Sequence, residues 1–366
     1  MSVMVGRLVT GMLAVLVSFC AAEAGKAAGA PGLVESLAVA GSFLENPAAA
    51  LRAADEVISE KVVPAAQTKI EDQESPPLFE PPPESTAVPE ESAVPEPTPC
   101  PEPPPGMGRI KEVQYPQGSG NAYIPLSSGT IKNRAGLPAE QIQNAVAAGL
   151  PFEIEQNSAE PQVLIMHTHT TESYEANEVW FDPAYTSRST DESIGVVAVG
   201  AAIAQELNAA GINTIQDTTL HDYPSYNGSY GRSNETVRRN LEAHPSIKVV
   251  LDVHRDAVEN DGQRVSAVTE INGKKAAQIM VICGVDKGGN LPNFEKNLGF
   301  AAAWESAMES HFPGLTRPVL LDYRYYNQDL TTGSLLIEVG SHGNTTEQAV
   351  YSGQLVGQAL AALFTG

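Results

Sequence analysis

The sequence predicts an α/β fold with a mostly parallel sheet flanked by helices and one β-hairpin. Three observations predict it. Apolar runs of strand length alternate with amphipathic stretches of helix length, as in sheets built from crossover units. The runs beginning at Val163, Val249 and Leu335 are continuously apolar, the pattern of strands covered on both faces. Asn272-Gly273 lies between two further strand-like runs, and this dipeptide is the strongest short-range hairpin signal in the chain.

In chain order, Arg7 precedes the apolar run Leu8–Ala22, and Ala22-Glu23-Ala24 offers a small-residue cleavage pattern. The run falls short of the roughly 20 residues that span a bilayer. Residues 1–24 therefore read as a signal peptide or a membrane anchor. Residues 25–109 read as a linker, first Ala-rich and then acidic and Pro-rich. Glu71–Pro105 holds nine acidic residues, no Lys or Arg, and 13 of the 27 prolines. Such a tract favours extended polyproline II and cannot bury a core, so it reads as a disordered spacer. The formal net charge of −22 lacks the basic footprint of a nucleic-acid partner. Cys20, Cys100 and Cys283 have the spacing of neither a disulfide framework nor a zinc ribbon.

The folded part, residues 110–366, opens with short strands at Tyr123–Leu126 and Gly129–Asn133 and a helix at Pro138–Ala148. The strand from Val163 follows, then a polar loop to Asp191. Ser193–Ala210 reads as a helix stopped by Gly211, and Ile212–Asp217 as a strand. Ser233–Ala243 reads as a helix capped by Ser233, before the strand in Lys248–Asp256. The hairpin pairs Gln263–Ile271 with Lys274–Cys283. Phe294–His311 is a helix, Pro318–Tyr323 and Ser334–Val339 are strands, and Asn344–Phe364 is a closing amphipathic helix.

Three of these strands end in ionisable groups. Val163–Tyr174 reads V-L-I-M-H-T-H-T-T-E-S-Y, Lys248–Asp256 reads K-V-V-L-D-V-H-R-D, and Ser334–Gly340 reads S-L-L-I-E-V-G. His169 and Glu172 form an H-x-x-E pair, a spacing that lets two ligands converge on one zinc ion, with His254 as the third. Glu338, at the end of an apolar run, is costly to bury without a partner and suits a general base. His167 is expected on the same strand face as His169, as an alternative ligand or a supporting partner. Arg255 is a candidate for steadying an oxyanion or holding a carboxylate, and Asp252 for orienting a histidine. His221, His244, His311 and His342 are assigned no metal role. The loops Trp180–Tyr185 and Tyr223–Tyr230 suit either a sugar or peptide groove or a cover for the core.

These motifs, with V-V-A-V-G, Y-N-Q-D-L and the continuation S-H-G-N-T after Gly340, resemble in this order the stage II sporulation protein P family of endospore-forming bacteria. The resemblance covers roughly Ile110–Gly366. It implies a fold similar to the zinc amidases of cell-wall turnover (phosphorylase/hydrolase-like) and a Zn2+-dependent N-acetylmuramoyl-L-alanine amidase. It also implies endopeptidase activity on peptide cross-links during forespore engulfment. His169, His254 and Glu338 then match the two histidines and the catalytic glutamate. The acidic ligand is Glu172 by the H-x-x-E pattern, or Glu192 by the amidase pattern of a glutamate at the first helix. The implied partners are peptidoglycan, stage II sporulation proteins D and M, and a membrane reached by the N-terminal segment, with the catalytic domain outside the cytoplasm facing the forespore. The rival readings are a zinc carboxypeptidase-like peptidase trimming stem peptides and a non-catalytic wall-binding module.

Overall fold

A computed structural model describes residues 102–366. The expectations made for the leader (1–24) and for the linker up to residue 101 lie outside the described residues. Among the described residues, no helix is long and apolar enough to cross a membrane.

The described chain begins with β1 (Gly108–Val113), β2 (Tyr123–Pro125), β3 (Thr130–Asn133) and helix α1 (Ala139–Ala148). Then come β4 (Val163–Met166), β5 (Trp180–Phe181), a 3-10 turn at Glu192–Ile194 and helix α2 (Val196–Ala209). β6 (Thr214–Gln216), α3 (Ser229–Ala243) and β7 (Val249–Asp256) follow, leading into β8 (Glu259–Asn260), β9 (Gln263–Ile271), β10 (Lys274–Ala277) and β11 (Ile279–Gly284). The chain ends with α4 (Phe294–His311), β12 (Val319–Asp322), β13 (Gly333–Ser341) and α5 (Thr346–Thr365).

The architecture is α/β, but both sheets are mixed. The larger has the order β2-β3-β12-β11-β13-β7-β4-β6. β13, β7, β4 and β6 run parallel to one another, and β11, β12 and β3 form a second parallel block. The two blocks meet antiparallel at β11–β13. The smaller sheet has the order β10-β9-β1-β5, with β8 pairing to β9. The single expected hairpin is present, with φ of 52° at Asn272 and 74° at Gly273, the left-handed pair that a two-residue hairpin turn demands. Two more are present among the described residues: β2 with β3, and β8 with β9 through Asp261-Gly262, the latter not foreseen because β8 is only two residues long.

One expected strand, Lys274–Cys283, is two. It divides at Gln278, so that β10 stays with β9 while β11 crosses into the larger sheet. The buried Gln278 side chain makes the division possible. Its amide donates to the carbonyls of Tyr115 and Gly314, and its oxygen accepts from Tyr115 N–H, so the backbone left between the sheets keeps its partners.

The larger sheet is covered on both faces. Val163, Ile165, Val249, Leu251, Val253, Leu335, Ile337 and Val339 pack with α1, α2, α4 and α5 in the main core. Alternate residues face the other way, as strand pleating requires. There Leu164, Met166 and Val250 pack under Val237 of α3, while Met280, Ile282, Leu320 and Leu336 pack under Val265 and Ala267 of the smaller sheet. Asp252, His254 and Glu338 alternate onto this second face. Each fully buried aliphatic side chain stabilises the sandwich by about 1.5–3 kcal/mol.

Helix α3 begins four residues before the expected Ser233 cap, after Gly228. Ser233 is instead buried inside it, where its hydroxyl lies 2.8 Å from Thr168 Oγ1 and accepts from Asn327 Nδ2. Helix α5 starts with a capping box between Thr345 and Gln348.

Helix α4 also carries a buried acid. Glu305 is fully buried, accepting from Thr316 Oγ1 at 2.6 Å, and burial pushes its pKa well above the usual carboxylate range. The unfolded chain loses this proton near its ordinary pKa of about 4.5 while the folded chain keeps it, so the group's contribution falls as pH rises above that value. Glu305→Gln removes the dependence. Urea midpoints at pH 5 and pH 8 should show the variant gaining on the parent by about 1 kcal/mol or more.

Candidate metal centre and active site

The parallel register of β7 and β13 sets His254 directly beside Glu338. Both side chains are buried. The third contributor comes from the turn after β4. That strand stops at Met166, and Glu172 N–H donates to His169 O at 3.0 Å, so the H-x-x-E pair acts through a tight turn. Glu172 is pinned from two sides. Its carbonyl accepts Val196 N–H at the start of α2, and its Oε2 accepts Arg255 N–H at 3.1 Å.

His254 has a carboxylate at each ring nitrogen. Asp252 Oδ1 lies 2.8 Å from Nε2 and Glu172 Oε2 lies 3.4 Å from Nδ1. Asp252 is held in turn by Thr168, whose N–H and hydroxyl donate to it at 2.8 and 2.7 Å. The His169 ring stands 5.3 Å from the His254 ring, nearly perpendicular to it. Tyr226 stacks on His169 at 4.6 Å and places its hydroxyl 3.1 Å from Nε2, while Tyr230 meets the same ring edge-on at 5.6 Å. Asp222 Oδ2 lies 3.9 Å from His169 Nδ1 and accepts from Thr171 and Arg188.

The electrostatics follow from burial and pairing. Burial disfavours charge on His254, but Asp252 and Glu172 outweigh it and hold its pKa well above the ordinary value. Burial also opposes charge on Glu172, yet the His254 hydrogen bond and the Arg255 charge keep its pKa far below the usual range. His169 goes the other way: burial lowers it to about 4 despite Glu172. Burial, helped by Asp256 and opposed by His254, raises Glu338 to about 8.

Two expected participants are elsewhere. His167 does not share a face with His169, because the strand has ended before either residue. Its Nδ1 lies 3.0 Å from Val253 O and its Nε2 3.0 Å from Gln216 Nε2, under the start of α2. A Cβ on Gly200 would come within 2.8 Å of this ring, so the close approach of α2 needs glycine there. With both nitrogens engaged, His167 has no lone pair directed at the His169–His254 cluster. The Arg255 guanidinium is also occupied, donating to the carbonyls of Ser173, Ser187 and Asp256. It ties the 173–187 loop to β7 and does not face Glu338 or His254. Glu192 is exposed in the 3-10 turn, which leaves Glu172 as the acid beside His254.

Sequence reasoning missed Asp222, Arg188, Thr168 and the direct role of Tyr226. The H-D-Y-P segment after β6 was the one available signal for Asp222, a carboxylate just past a strand end. The Trp180–Tyr185 loop proves to be cover: β5 pairs with β1, and Tyr185 OH contacts Ser173 Oγ at 2.6 Å.

The donor set has the chemistry of a zinc site. A tetrahedron with arms of about 2.1 Å has edges of about 3.4 Å, the separation between His254 Nδ1 and Glu172 Oε2. Asp252 at Nε2 fixes the tautomer that leaves Nδ1 for a metal. His169 Nδ1 and Glu338 Oε2 are buried and make no hydrogen bond, so both have capacity for a cation or a water. Among the described residues no three His, Cys, Asp or Glu side chains stand together so as to hold an ion as they are placed.

A family model described as stage II sporulation protein P (SpoIIP) matches residues 65–361. The chain belongs to this family. Stage II sporulation protein P of Bacillus subtilis (strain 168) is 30% identical over 200 residues, 51% of this chain and 47% of that protein. The match thus spans about half the length of this curated relative. Among solved structures, N-acetylmuramoyl-L-alanine amidase AmiC2 of Nostoc punctiforme is similar with a TM-score of 0.33 and 12% identity, over 57% of this chain and 97% of its own. The CwlD amidase of Clostridioides difficile, in complex with the GerS lipoprotein, also gives 0.33 and 12%, over 56% and 98%.

The hold of Asp252 on His254 is testable in the metal-free protein. With Asp252 present, His254 stays protonated through neutral pH. Asp252→Asn should move its titration down, read from imidazole nitrogen shifts in NMR. An unmoved titration would remove Asp252 as the group that fixes His254.

Proposed function

We propose that the chain is a zinc-dependent peptidoglycan hydrolase that cleaves the amide between N-acetylmuramic acid and the L-alanine of the stem peptide. Endopeptidase activity on cross-links belongs to the same reading. The observation that carries it is His254, fully desolvated between Asp252 and Glu172 and in register with the unpartnered Glu338. Membership of a sporulation family supports a role in forespore engulfment. The family resemblance further supports stage II sporulation proteins D and M as partners, and an extracytoplasmic domain tethered or exported through the N-terminal segment.

His169, Glu172 and His254 would hold the ion. Bound zinc supplies a Lewis acid that polarises the scissile carbonyl and lowers the pKa of water to about 7. Glu338 then serves as the proton carrier, taking a proton from the attacking water and delivering it to the leaving amide nitrogen. Its position favours this role, because burial raises its proton affinity into the neutral range and Oε2 carries no competing hydrogen bond. Asp252 keeps His254 oriented through Nε2. Arg255 and the α2 N-terminus keep Glu172 facing Nδ1.

The H-x-x-E origin of Glu172 also suits a carboxypeptidase-like peptidase acting on stem peptides. Digested sacculi separate the two readings: denuded glycan marks the amidase, and shortened stems on intact glycan mark the peptidase. Mass spectrometry of fragments made with and without chelator should show the first, and only without chelator.

His169→Ala and His254→Ala should each abolish zinc retention, measured by metal analysis of the purified chain. Glu338→Ala should keep the metal and lose at least 100-fold in turnover. Retained turnover in Glu338→Ala removes its assignment as proton carrier.

A further inference from the structure

The large hydrophobic side chains exposed among the described residues are Leu220 (37%), Tyr223 (57%), Tyr226 (46%), Tyr323 (48%) and Tyr325 (39%). They come from two segments, one before α3 and one after β12, and both lead to the candidate active site. Tyr226 touches His169, and Tyr223 is three residues away, within roughly 11 Å of chain. On the other side, Tyr326 stacks on Tyr230 at 5.4 Å, and Tyr230 meets His169. Tyr323 and Tyr325 are within three residues of Tyr326. Exposed apolar groups on two segments that flank one site mark a binding surface.

The two segments are fastened to each other. Asn327 Nδ2 donates to Tyr230 O and Ser233 Oγ, and Asn234 Nδ2 donates to Asn327 Oδ1. The surface is therefore preformed. Several of its charged residues pair among themselves, and Lys287 Nζ lies 5.8 Å over the Tyr323 ring. Arg324 and Arg134 lie 3.3 and 3.8 Å from Asp322, and Arg238 lies 3.7 Å from Asp329. The Tyr226 ring is engaged by His169 and by Arg188, whose guanidinium lies 4.8 Å over it. That leaves Tyr223, Tyr323 and Tyr325 as the exposed rings.

We infer that Tyr223, Tyr323 and Tyr325 form a platform for the glycan strand, stacking on pyranose rings on either side of the scissile amide. A tyrosine matches a pyranose in chemistry: an apolar face against C–H groups, and a hydroxyl within reach of the sugar's hydroxyl rim. Stem peptides carry carboxylates and an amine, for which the three rings themselves offer no charged partner, and Arg134, Arg324 and Arg238 are already paired with Asp322 and Asp329. The ligand's identity as peptidoglycan glycan rests on the hydrolase reading above, whereas the platform rests on the tyrosines.

The test uses the full chain and two probes: peptidoglycan glycan strands stripped of stem peptides, and the free stem peptide. Stripped strands contain no scissile amide, so binding is read without turnover. Calorimetry should show the strands binding the parent chain, with affinity falling about tenfold or more in the triple variant Y223A/Y323A/Y325A. Y223F/Y323F/Y325F should keep most of the affinity, and stem-peptide binding should be the same in all three proteins. Because the three rings are exposed, melting temperatures should match, and single Y223A provides a milder variant showing a smaller loss. Unchanged strand affinity in the alanine variant, an equal loss in the phenylalanine variant, or a loss confined to the peptide each overturns the platform. Failure of the hydrolase reading would show instead as intact amides in digested sacculi, with strand binding preserved.

Discussion

His254 is clamped between two buried carboxylates, and the rest of the site is arranged around making that affordable. An isolated charge at this depth is expensive, and a broken buried pair costs several kcal/mol. Here each partner is itself supplied with donors. Thr168 serves Asp252, and the Arg255 backbone N–H serves Glu172. The charges are tolerated because the hydrogen-bonding capacity around them is nearly used up. Among the described residues of the site, three buried atoms lack a hydrogen bond: His254 Nε2, which lies 2.8 Å from Asp252 Oδ1 as an ion pair, and His169 Nδ1 and Glu338 Oε2, where a cation and a water would find room.

The scaffold supports this in a way that depends on pleating more than on strand ends. His254 and Glu338 lie within their strands and alternate onto the face that α3 and the smaller sheet share, while their neighbours Val253, Ile337 and Val339 point into the main core. Core packing and site geometry are therefore coupled through the same backbone. A slip of one residue between β7 and β13 would separate His254 from Glu338 and turn apolar side chains into the site. The turn after β4 adds Glu172, and Arg255 fastens that turn's continuation by two carbonyls, those of Ser173 and Ser187.

Much of this was readable in the chain. The apolar runs at β4, β7 and β13 announce buried strands. The H-T-H-T-T-E and D-V-H-R-D segments name the histidines and carboxylates that the structure gathers. Helix α4 has its expected ends, Phe294 and His311. Other readings failed for identifiable reasons. The role proposed for His167 went astray because residue spacing was read as strand geometry, and the chain turns after Met166; the Arg255 guanidinium is taken up by backbone carbonyls, which its place beside His254 does not reveal. Ser233 looked like a helix cap because it is a capping type, whereas tertiary packing uses its hydroxyl to hold Thr168 and Asn327. The strand from Lys274 to Cys283 looked continuous because composition does not report a change of sheet.

The sequence by itself determined which segments become buried strands and which ionisable residues must be accommodated beside them. Those properties follow from local pattern and from the cost of burying charge. Only the tertiary structure decided strand direction, the pairing of β7 with β13, the choice of Glu172 over Glu192, and the arrival of Asp222, Arg188 and Tyr226. These depend on contacts between residues far apart in the chain. Hydrogen bonds and register across such distances leave no periodic mark in a single sequence, because each partner looks ordinary until the other is beside it.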